Sequence, residues 1–249
     1  MEIEDVLNRR SDLSTFVVHF TRDFGGHGSK ENLESILRGY RIRAETPMGW
    51  IKGVAVDQLA AAKVVCFSET PLEHAYSLVQ KINRRQVALS PYGLAFTKAV
   101  ARKKGVNPIW YVDMTPGQEA HWAIAKAIDT LRDEAKVSPP GFAAHFAAAV
   151  LPFIEQMGTW TTTEKEFWWE REWRHRGDFA FSTLDVTLVF CPEGDIDDME
   201  DFGWPAVDPS WSLERMIEKL ARTDLGSHSD RRARRRERAK ADEETGAGR

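Results

Sequence analysis

Glu166-Phe167-Trp168-Trp169-Glu170-Arg171-Glu172-Trp173-Arg174 is an aromatic stretch that carries three glutamates where a buried strand is normally apolar. In a strand, alternate side chains point to opposite faces. One face would hold Phe167, Trp169, Arg171 and Trp173, and the other would hold Trp168, Glu170, Glu172 and Arg174. The pattern therefore predicts a strand from Phe167 to Arg174 whose aromatic face packs in the core.

The two glutamates of the second face carry the chemical signal. The carboxylates of Glu170 and Glu172 would repel each other, so one should have a raised pKa unless Arg174 or Arg176 compensates. Enzymes that stabilise a cationic transition state, as in glycosyl transfer, use such pairs. The other interpretation is a surface strand with alternating charges above packed tryptophans, because perturbed carboxylates can be purely structural.

The composition indicates a globular protein with a substantial core. The chain has 249 residues, of which 42% are hydrophobic, 29% are charged and nine are tryptophan. We expect one α+β domain over residues 1–225 and a disordered basic tail over residues 226–249. The formal net charge of -4 argues against a global field that would draw the protein to nucleic acid or membrane, so any such attraction must be local.

Cysteine usage and the amino terminus indicate a cytoplasmic location. Cys66 and Cys191 each sit in an apolar run without metal-ligand spacing, so we expect two buried thiols in a reducing compartment. A disulfide between them is the less favoured alternative. The sequence shows no signal peptide and no segment long enough to span a bilayer, so we expect no contact with a membrane.

Hydrophobic periodicity and turn residues predict the remaining elements. The predicted strands are Phe16–Thr21, Val64–Ser68, Ile109–Met114 and Val186–Phe190. The predicted helices begin at Ser29, Pro71, Thr97, Gln118, Phe142 and Ser212, and end at Gly39, Ile82, Lys104, Lys136, Met157 and Arg222 respectively. A turn at 176–178 should pair Phe167–Arg174 with Phe179–Ser182 as a hairpin.

Two further segments could contact ligands. Ser68 and Glu69 end a strand just before a helix, where unsatisfied N–H groups favour an anion. In the tail, the basic block could contact the phosphates of nucleic acid, or it could simply keep the tail soluble. This block comprises Arg231, Arg232, Arg234, Arg235 and Arg236.

An ordered set of short motifs resembles a known family. It comprises His19-Phe20-Thr21, Phe67-Ser68-Glu69, Tyr92-Gly93-Leu94-Ala95-Phe96 and Glu170-Arg171-Glu172-Trp173-Arg174. Together they resemble bacterial abortive-infection proteins of the AbiGi type, and they look like a distant member of the ADP-ribosyltransferase superfamily near the DarT-like nucleic-acid modifiers. The resemblance implies an α+β fold with a split, mostly antiparallel β-sheet core of ADP-ribosyltransferase type around an NAD cleft, with helices outside.

The same resemblance implies a role for each matching residue. Glu172 would be the catalytic glutamate and Glu170 would position the acceptor, which would be nucleic acid or protein. The NAD-binding residues would be His19 at a ribose hydroxyl, Thr21 near the nicotinamide, Ser68 at the serine-motif position, Tyr92 or Phe96 stacked on nicotinamide, and Arg22 (with Arg41 or Arg43) at the pyrophosphate.

The chemistry of these roles is coherent and needs NAD as substrate but no metal. Breaking the nicotinamide–ribose bond forms an oxocarbenium-like cation, which a carboxylate in a dry site stabilises. Two features depart from the family pattern. Arg171 and Arg174 could neutralise the glutamate pair. The long spacing between the second and third family motifs is filled by two predicted helices, Gln118–Lys136 and Phe142–Met157, which the minimal fold does not need.

Two alternatives belong to other functional classes. The first is a non-catalytic antitoxin or interaction protein of an abortive-infection pair, whose tryptophan-rich strand and basic tail bind a cognate partner protein. The second is a metal-dependent nuclease using Glu69, Asp113, Glu170 and Glu172, because two-metal sites gather carboxylates from strand ends.

Overall fold

The computed structural model describes residues 13–82, 85, 87–117, 119–139, 141–160 and 163–222. The chain divides into two compact units, each assembled from separate segments. The first unit comprises Met1–Tyr40, Thr70–Thr97 and Phe181–Arg249, and the second comprises Arg41–Glu69 and Lys98–Ala180. The prediction of one domain over residues 1–225 stays a prediction, and the tail at 226–249 lies outside the described residues.

Strands and helices alternate irregularly along the described residues. The strands are β1 (Phe16–Phe20), β2 (Arg41–Ile42), β3 (Thr46–Pro47), β4 (Lys63–Ser68), β5 (Gly93–Thr97), β6 (Asn107–Pro108), β7 (Trp110–Asp113), β8 (Ile154–Trp160), β9 (Thr163–Lys165), β10 (Glu172–Arg176), β11 (Phe179–Ala180), β12 (Val186–Phe190) and β13 (Ala206–Val207). The α-helices are α1 (Ser29–Gly39), α2 (Ala75–Val79), α3 (Lys98–Lys103), α4 (Glu119–Val137), α5 (Ala147–Val150), α6 (Ile196–Glu200) and α7 (Leu213–Ala221). Short 3-10 helices span Val56–Ala62, Leu72–His74, Phe142–Ala144, Leu151–Phe153, Trp168–Glu170 and Glu193–Asp195. These elements confirm the α+β class.

In the first unit, four strands lie in the order β13-β12-β5-β1. β13 is parallel to β12, whereas β12 and β1 are both antiparallel to β5. Apolar side chains from these strands pack against α2 and α7 in one core cluster. It comprises Val18, Phe20, Ala75, Leu78, Ala95, Leu188, Phe190, Val207 and Met216.

In the second unit, β10 is an inner strand of its sheet. It pairs antiparallel with β4 on one side and with β6 on the other, and β3 extends the sheet beyond β4. A separate sheet has the order β7-β8-β9, with β7 parallel to β8. The 19-residue helix α4 contributes Ala125, Ile128 and Ala135 to a core that also contains Trp50, Phe142, Leu151 and Ile154.

Several predicted elements are confirmed. The strand at Val186–Phe190 has the predicted bounds. The strands predicted at Phe16 and Val64 differ from β1 and β4 by one residue at one end, and that at Ile109 differs from β7 by one residue at each end. Helix α7 starts after Ser212, whose hydroxyl accepts a hydrogen bond from the Arg215 backbone N–H at 3.3 Å. Regular periodicity and polar caps identified these elements because both signals are local. None of the described helices combines the length and apolar character that a bilayer crossing needs.

Three predictions were wrong. The helix predicted at Phe142–Met157 is instead short helical turns followed by strand β8, because a continuous apolar run does not distinguish a buried helix from a buried strand. The helix predicted from Pro71 to Ile82 shortens to α2, after the 3-10 turn at Leu72–His74. The predicted hairpin does not form, since β11 pairs with β2 and not with β10.

Candidate functional site

The stretch at 166–174 changes conformation at Arg171. Trp168–Glu170 forms a 3-10 turn, Arg171 is left-handed with φ 47°, and β10 begins only at Glu172. The predicted strand from Phe167 is therefore wrong for its first five residues, because a left-handed residue cannot continue the pleat. The turn is fixed by the backbone N–H of Glu69, which donates to the Arg171 carbonyl at 3.1 Å.

Arg174 is the centre of a buried ionic cluster. Its side chain is fully buried, and its Nε and Nη2 lie 2.8 Å from the two carboxylate oxygens of Glu172. Nη2 also donates to Glu155 Oε2 at 2.7 Å, and Nη1 donates to the Pro152 carbonyl. Lys165 pairs with the other oxygen of Glu155 at 2.5 Å. Two cations and two anions thus balance in the interior, where an unpaired charge would be costly.

In this cluster, burial and the neighbouring charges shift the pKa values of Glu155 and Arg174 in opposite directions. Burial alone would raise the pKa of Glu155, but Arg174 and Lys165 outweigh it and leave that pKa below its ordinary value. Burial would likewise lower the pKa of Arg174, but Glu172 holds it above its usual range. The thiol of Cys66 has a raised pKa through burial and the nearby Glu172 carboxylate. These pKa shifts favour the ionised forms of Glu155 and Arg174 and the protonated form of the Cys66 thiol.

Glu69 is the centre of a second ionic cluster. This carboxylate is 6% exposed and accepts a hydrogen bond from Trp173 Nε1 at 3.0 Å. Lys98 Nζ lies 2.7 Å from its Oε1, and Arg171 Nη2 lies 3.0 Å from the same oxygen. Lys98 also sits over the Trp173 ring, 5.7 Å from the centroid. One anion thus meets two cations in this cluster.

A cleft of about 380 Å³ opens beside these clusters within the second unit. Its lining combines the charged residues Glu69, Arg171 and Glu172 with Pro108, Ile109, Tyr111, Met157, Trp168 and Trp173. The Tyr111 hydroxyl accepts a hydrogen bond from the Glu172 backbone N–H at 3.2 Å, and burial raises the pKa of this phenol. The arrangement suits a guest with an apolar or aromatic body, because most of the lining is apolar and its polar groups are already held in place.

Comparison with known proteins identifies one family. Residues 49–196, more than half of the chain, match a family whose provisional description is abortive phage resistance protein AbiGi, antitoxin. The chain belongs to the AbiGi family. No curated protein and no solved structure matches the chain. The matched residues include every side chain of the two ionic clusters and of the cleft, so these features lie in the part of the protein that defines its AbiGi membership.

In this AbiGi chain, three of the predicted catalytic and NAD-binding residues lie in the second unit. Glu172 lines the cleft but is bound through both carboxylate oxygens to Arg174. Glu170 belongs to the 3-10 turn, so it does not share a strand face with Glu172. Ser68 lies directly opposite Glu172 in the pairing of β4 with β10. The structure thus brings Ser68 and Glu172 together and separates the expected glutamate pair.

The predicted NAD-binding residues His19, Thr21, Arg22, Tyr92 and Phe96 lie in the first unit, whereas the alternative pyrophosphate ligands Arg41 and Arg43 lie in the second. The Thr21 hydroxyl donates to the carbonyls of Ser29 (2.9 Å) and Tyr92 (3.0 Å), so it ties two chain segments together. The Tyr92 hydroxyl donates to Asp195 at 2.6 Å, and burial together with this carboxylate raises the pKa of Tyr92 to about 12. Phe96 is fully buried against Phe181 at a centroid distance of 5.5 Å. A ring without exposed surface cannot stack on a ligand unless the core rearranges.

Two predicted residues of the first unit lie nearer the surface. His19 is partly buried on β1 opposite Leu94, and the Arg22 guanidinium lies 5.3 Å from the Phe24 ring centroid. In the glycine loop between them and α1, the Asp23 carboxylate accepts from the Ser29 backbone N–H and Glu31 accepts from that of Gly28. Two carboxylates already occupy this helix start, which disfavours a phosphate there.

The carboxylates of the nuclease alternative lie within the described residues, but the predicted nucleic-acid contacts do not. Across the described ranges, no group of three or more His, Cys, Asp or Glu side chains is placed to hold a metal ion. Of the four carboxylates of the nuclease alternative, Glu69 and Glu172 are paired with cations as described above. The basic block of Arg231, Arg232, Arg234, Arg235 and Arg236 lies outside the described residues.

Sequence reasoning missed Glu155, Lys98 and Lys165 as members of the clusters. Glu155 was hidden because its segment was predicted to be the end of a helix, whereas it lies on β8. The segment that follows offers a strand signal, since Thr159, Trp160 and Thr163 are residue types that favour strands. Lys98 gives no local signal, because its partner Glu69 is distant in sequence.

Proposed function

We propose that this protein is the antitoxin of an abortive-infection pair and acts by binding a cognate toxin protein. The observation that carries the proposal is the family match over residues 49–196, whose description names an antitoxin. The exposed aromatic turn supports it, since Trp168 and Trp169 are 52% and 37% exposed. Large aromatic side chains held at a surface are typical of protein interfaces.

The buried clusters are consistent with a binding role. Glu172 is neutralised by Arg174 through both of its oxygens, an arrangement that stabilises the sheet and fixes one wall of the cleft. A stoichiometric inhibitor needs a rigid complementary surface and no catalytic group. Rigid walls favour binding because less conformational freedom is lost when the complex forms.

The direct test is co-expression of this chain with the protein encoded by the neighbouring gene. We expect the two to co-purify, and we expect this chain to protect cells from growth arrest by that neighbour. A toxin-only culture and a culture with an unrelated protein of similar size are the controls. Failure to protect would contradict the antitoxin role, and protection without a complex would contradict direct binding.

A second candidate is an ADP-ribosyltransferase that transfers ADP-ribose from NAD to nucleic acid or protein. It is favoured by one observation, the placement of Glu172 beside an aromatic cleft and opposite Ser68. The bidentate contact with Arg174 weighs against it, because Arg174 already compensates the negative charge that Glu172 would use to stabilise an oxocarbenium-like cation. No comparison supports this candidate.

A thermal-shift titration with NAD tests the second candidate. An enzyme of this class should be stabilised by NAD, and the stabilisation should be lost in Glu172→Gln and His19→Ala. The absence of any shift with unmodified protein at about millimolar NAD, where ordinary substrates bind, would remove it.

A further inference from the structure

A basic surface of the second unit is formed where helix α3 and strand β10 end. Residues 98–112 contain four lysine or arginine side chains and no aspartate or glutamate. Arg102 and Lys103 are exposed in the last turn of α3, and Arg176 is exposed at the end of β10. The two ends are adjacent, because a methyl group built on Gly105 would lie 3.8 Å from the His175 ring. The fold therefore brings three exposed cations to neighbouring positions.

These three cations are not taken up by ion pairs of the fold. Within the described ranges, no carboxylate lies within ion-pair distance of Arg102, Lys103 or Arg176. Cations in the last turn of a helix interact favourably with its carbonyl groups, which gives Arg102 and Lys103 a role in the stability of α3. Arg176 lies on a strand and has no such role. The surface is therefore more than the basic end of a helix.

The acidic residues nearest Arg176 in sequence are already paired with other cations. Glu172 is bound through both carboxylate oxygens to Arg174. Asp178 lies 3.8 Å from the guanidinium of Arg41. An anion that approaches Arg176 therefore meets carboxylates whose charge is compensated, which favours its binding.

The edge of the sheet beside this surface is unsuited to pairing with another protein strand. β6 is the last strand in the order of its sheet, and it consists only of Asn107 and Pro108. A short edge strand that contains proline resists strand addition, because proline has no backbone N–H to donate.

An exposed aromatic ring follows the same edge. Trp110 is 68% exposed and follows Lys103 by seven residues, which span at most about 25 Å. Proteins that bind single-stranded nucleic acid combine cations that follow the phosphate backbone with exposed aromatic rings on which bases stack. A strand of a few nucleotides is long enough to contact both the cations and this ring.

We propose that Arg102, Lys103 and Arg176 bind the phosphates of single-stranded nucleic acid, and that Trp110 stacks on one of its bases. Contacts of this kind do not read base sequence, so DNA and RNA should both bind. The formal net charge of the chain is -4, so the attraction is confined to this local surface. The proposal goes beyond the antitoxin function and does not depend on it, because it assigns a second ligand to the chain.

The test is fluorescence anisotropy with full-length protein and labelled oligothymidylate or oligouridylate of about 20 nucleotides, longer than one such site. The double substitution Arg102→Gln, Lys103→Gln should raise the Kd at least about tenfold at low salt. It should also reduce the slope of log Kd against log salt by about 1.4, or about 0.7 for each lost phosphate contact. The matched control is Lys52→Gln, Lys126→Gln, which removes two exposed cations of the same unit and should change the Kd less than about twofold.

Single substitutions test the other two members of the surface. Arg176→Gln should raise the Kd about threefold and reduce the salt slope by about 0.7. Trp110→Ala should raise the Kd at least about fivefold and leave the salt slope unchanged, because stacking involves no phosphate. Its control is Trp122→Ala, which removes a ring that is 69% exposed on α4 and should leave the Kd within about twofold.

Thermal unfolding of each variant establishes whether the fold is retained. If the double variant does not fold, Arg176→Gln and Trp110→Ala carry the test. The proposal is overturned if the unmodified protein binds neither oligonucleotide, or if the two double variants lose equal affinity. It is also overturned if binding is lost only when the five arginines of the basic block are replaced by glutamine. If the double substitution at 102 and 103 weakens binding to the toxin and not to the oligonucleotides, the surface binds protein and the proposal is wrong.

Discussion

Arg171 and Arg174 are three residues apart, and each is paired with a glutamate, yet their surroundings differ. Arg174 is fully buried and saturated by Glu172, Glu155 and the Pro152 carbonyl. Arg171 is 41% exposed at the rim of a cleft and shares Glu69 with Lys98. The same ion-pair chemistry therefore serves two purposes. Where water is excluded the pair belongs to the folded core, and where water remains the pair lies at the surface of the cleft.

The largest effect should follow from truncating the buried arginine. Arg174→Met keeps most of the side-chain volume but leaves two carboxylates in the interior with only Lys165 to compensate. We expect unfolding free energy to fall by about 3–5 kcal/mol, as found when one member of a buried pair is removed. Urea denaturation followed by circular dichroism measures it.

A surface pair provides the control for that experiment. Arg38→Met breaks the pair with Glu34 on α1, where Arg38 is 64% exposed. The loss of unfolding free energy in Arg38→Met should stay within about 0.5 kcal/mol, because exposed ion pairs on a helix contribute little to stability. Equal losses in Arg174→Met and Arg38→Met would show that burial does not distinguish the two environments.

An intermediate effect should follow from neutralising the anion of the second cluster. The amide oxygen of Glu69→Gln can still accept from Trp173 Nε1, but Lys98 and Arg171 lose their counter-charge. Both cations can reach water, so we expect a loss of about 1–3 kcal/mol, typical of a hydrogen bond to a charged group. The urea midpoint measures it. A loss as large as that of Arg174→Met would mean that Lys98 and Arg171 are effectively buried.

The sequence predicted those elements of the fold whose signal lies within the segment itself. Strand β12 and helices α4 and α7 were found because their periodicity and caps lie within the segment itself. The interruption of the predicted strand at Arg171 was missed because the residues on both sides of it have the alternating pattern of a strand. The possibility that Arg174 neutralises the glutamates was visible in the sequence.

Tertiary partners were beyond the same reasoning. Glu155 joins Arg174 only because β8 and β10 come together in the folded chain, and its segment was predicted to be helical. The cleft likewise gathers residues from β6, β7, β8 and the turn before β10. Residue spacing within one sequence does not show which distant segments come into contact. The aromatic stretch therefore indicated a site but not the other residues that line it.

Acid should weaken the buried cluster around Arg174 by protonating Glu155. The pKa of Glu155 is lower in the folded protein than in the unfolded chain, so its contribution is fully present above the unfolded value of about 4.3 and is lost as the pH falls through the folded value. Stability should therefore decline below about pH 4.3, and Glu155→Gln should flatten this decline. The effect should be smaller than that of Arg174→Met, because protonation removes a charge but keeps the side chain.

Denaturant midpoints measured over the acidic range test this dependence. Glu214→Gln, at an exposed position in the first turn of α7, is the matched control and should leave the slope unchanged. If the dependence of stability on pH is the same in Glu155→Gln as in the unmodified protein, other carboxylates cause the acid sensitivity.

A small effect on stability should come from Arg171→Met, which sharpens the comparison because it repeats the change made at Arg174. Arg171 is solvated and Glu69 keeps Lys98 as a counter-ion, so the loss should not exceed about 1 kcal/mol. Methionine, like arginine, is unbranched at Cβ, so the left-handed backbone at this position is no more strained than before. If stability stays near that of the unmodified protein, the contact between Arg171 and Glu69 contributes little to the stability of the fold. If stability falls as far as in Arg174→Met, the exposed pair also belongs to the core, and the difference in surroundings does not produce a difference in role.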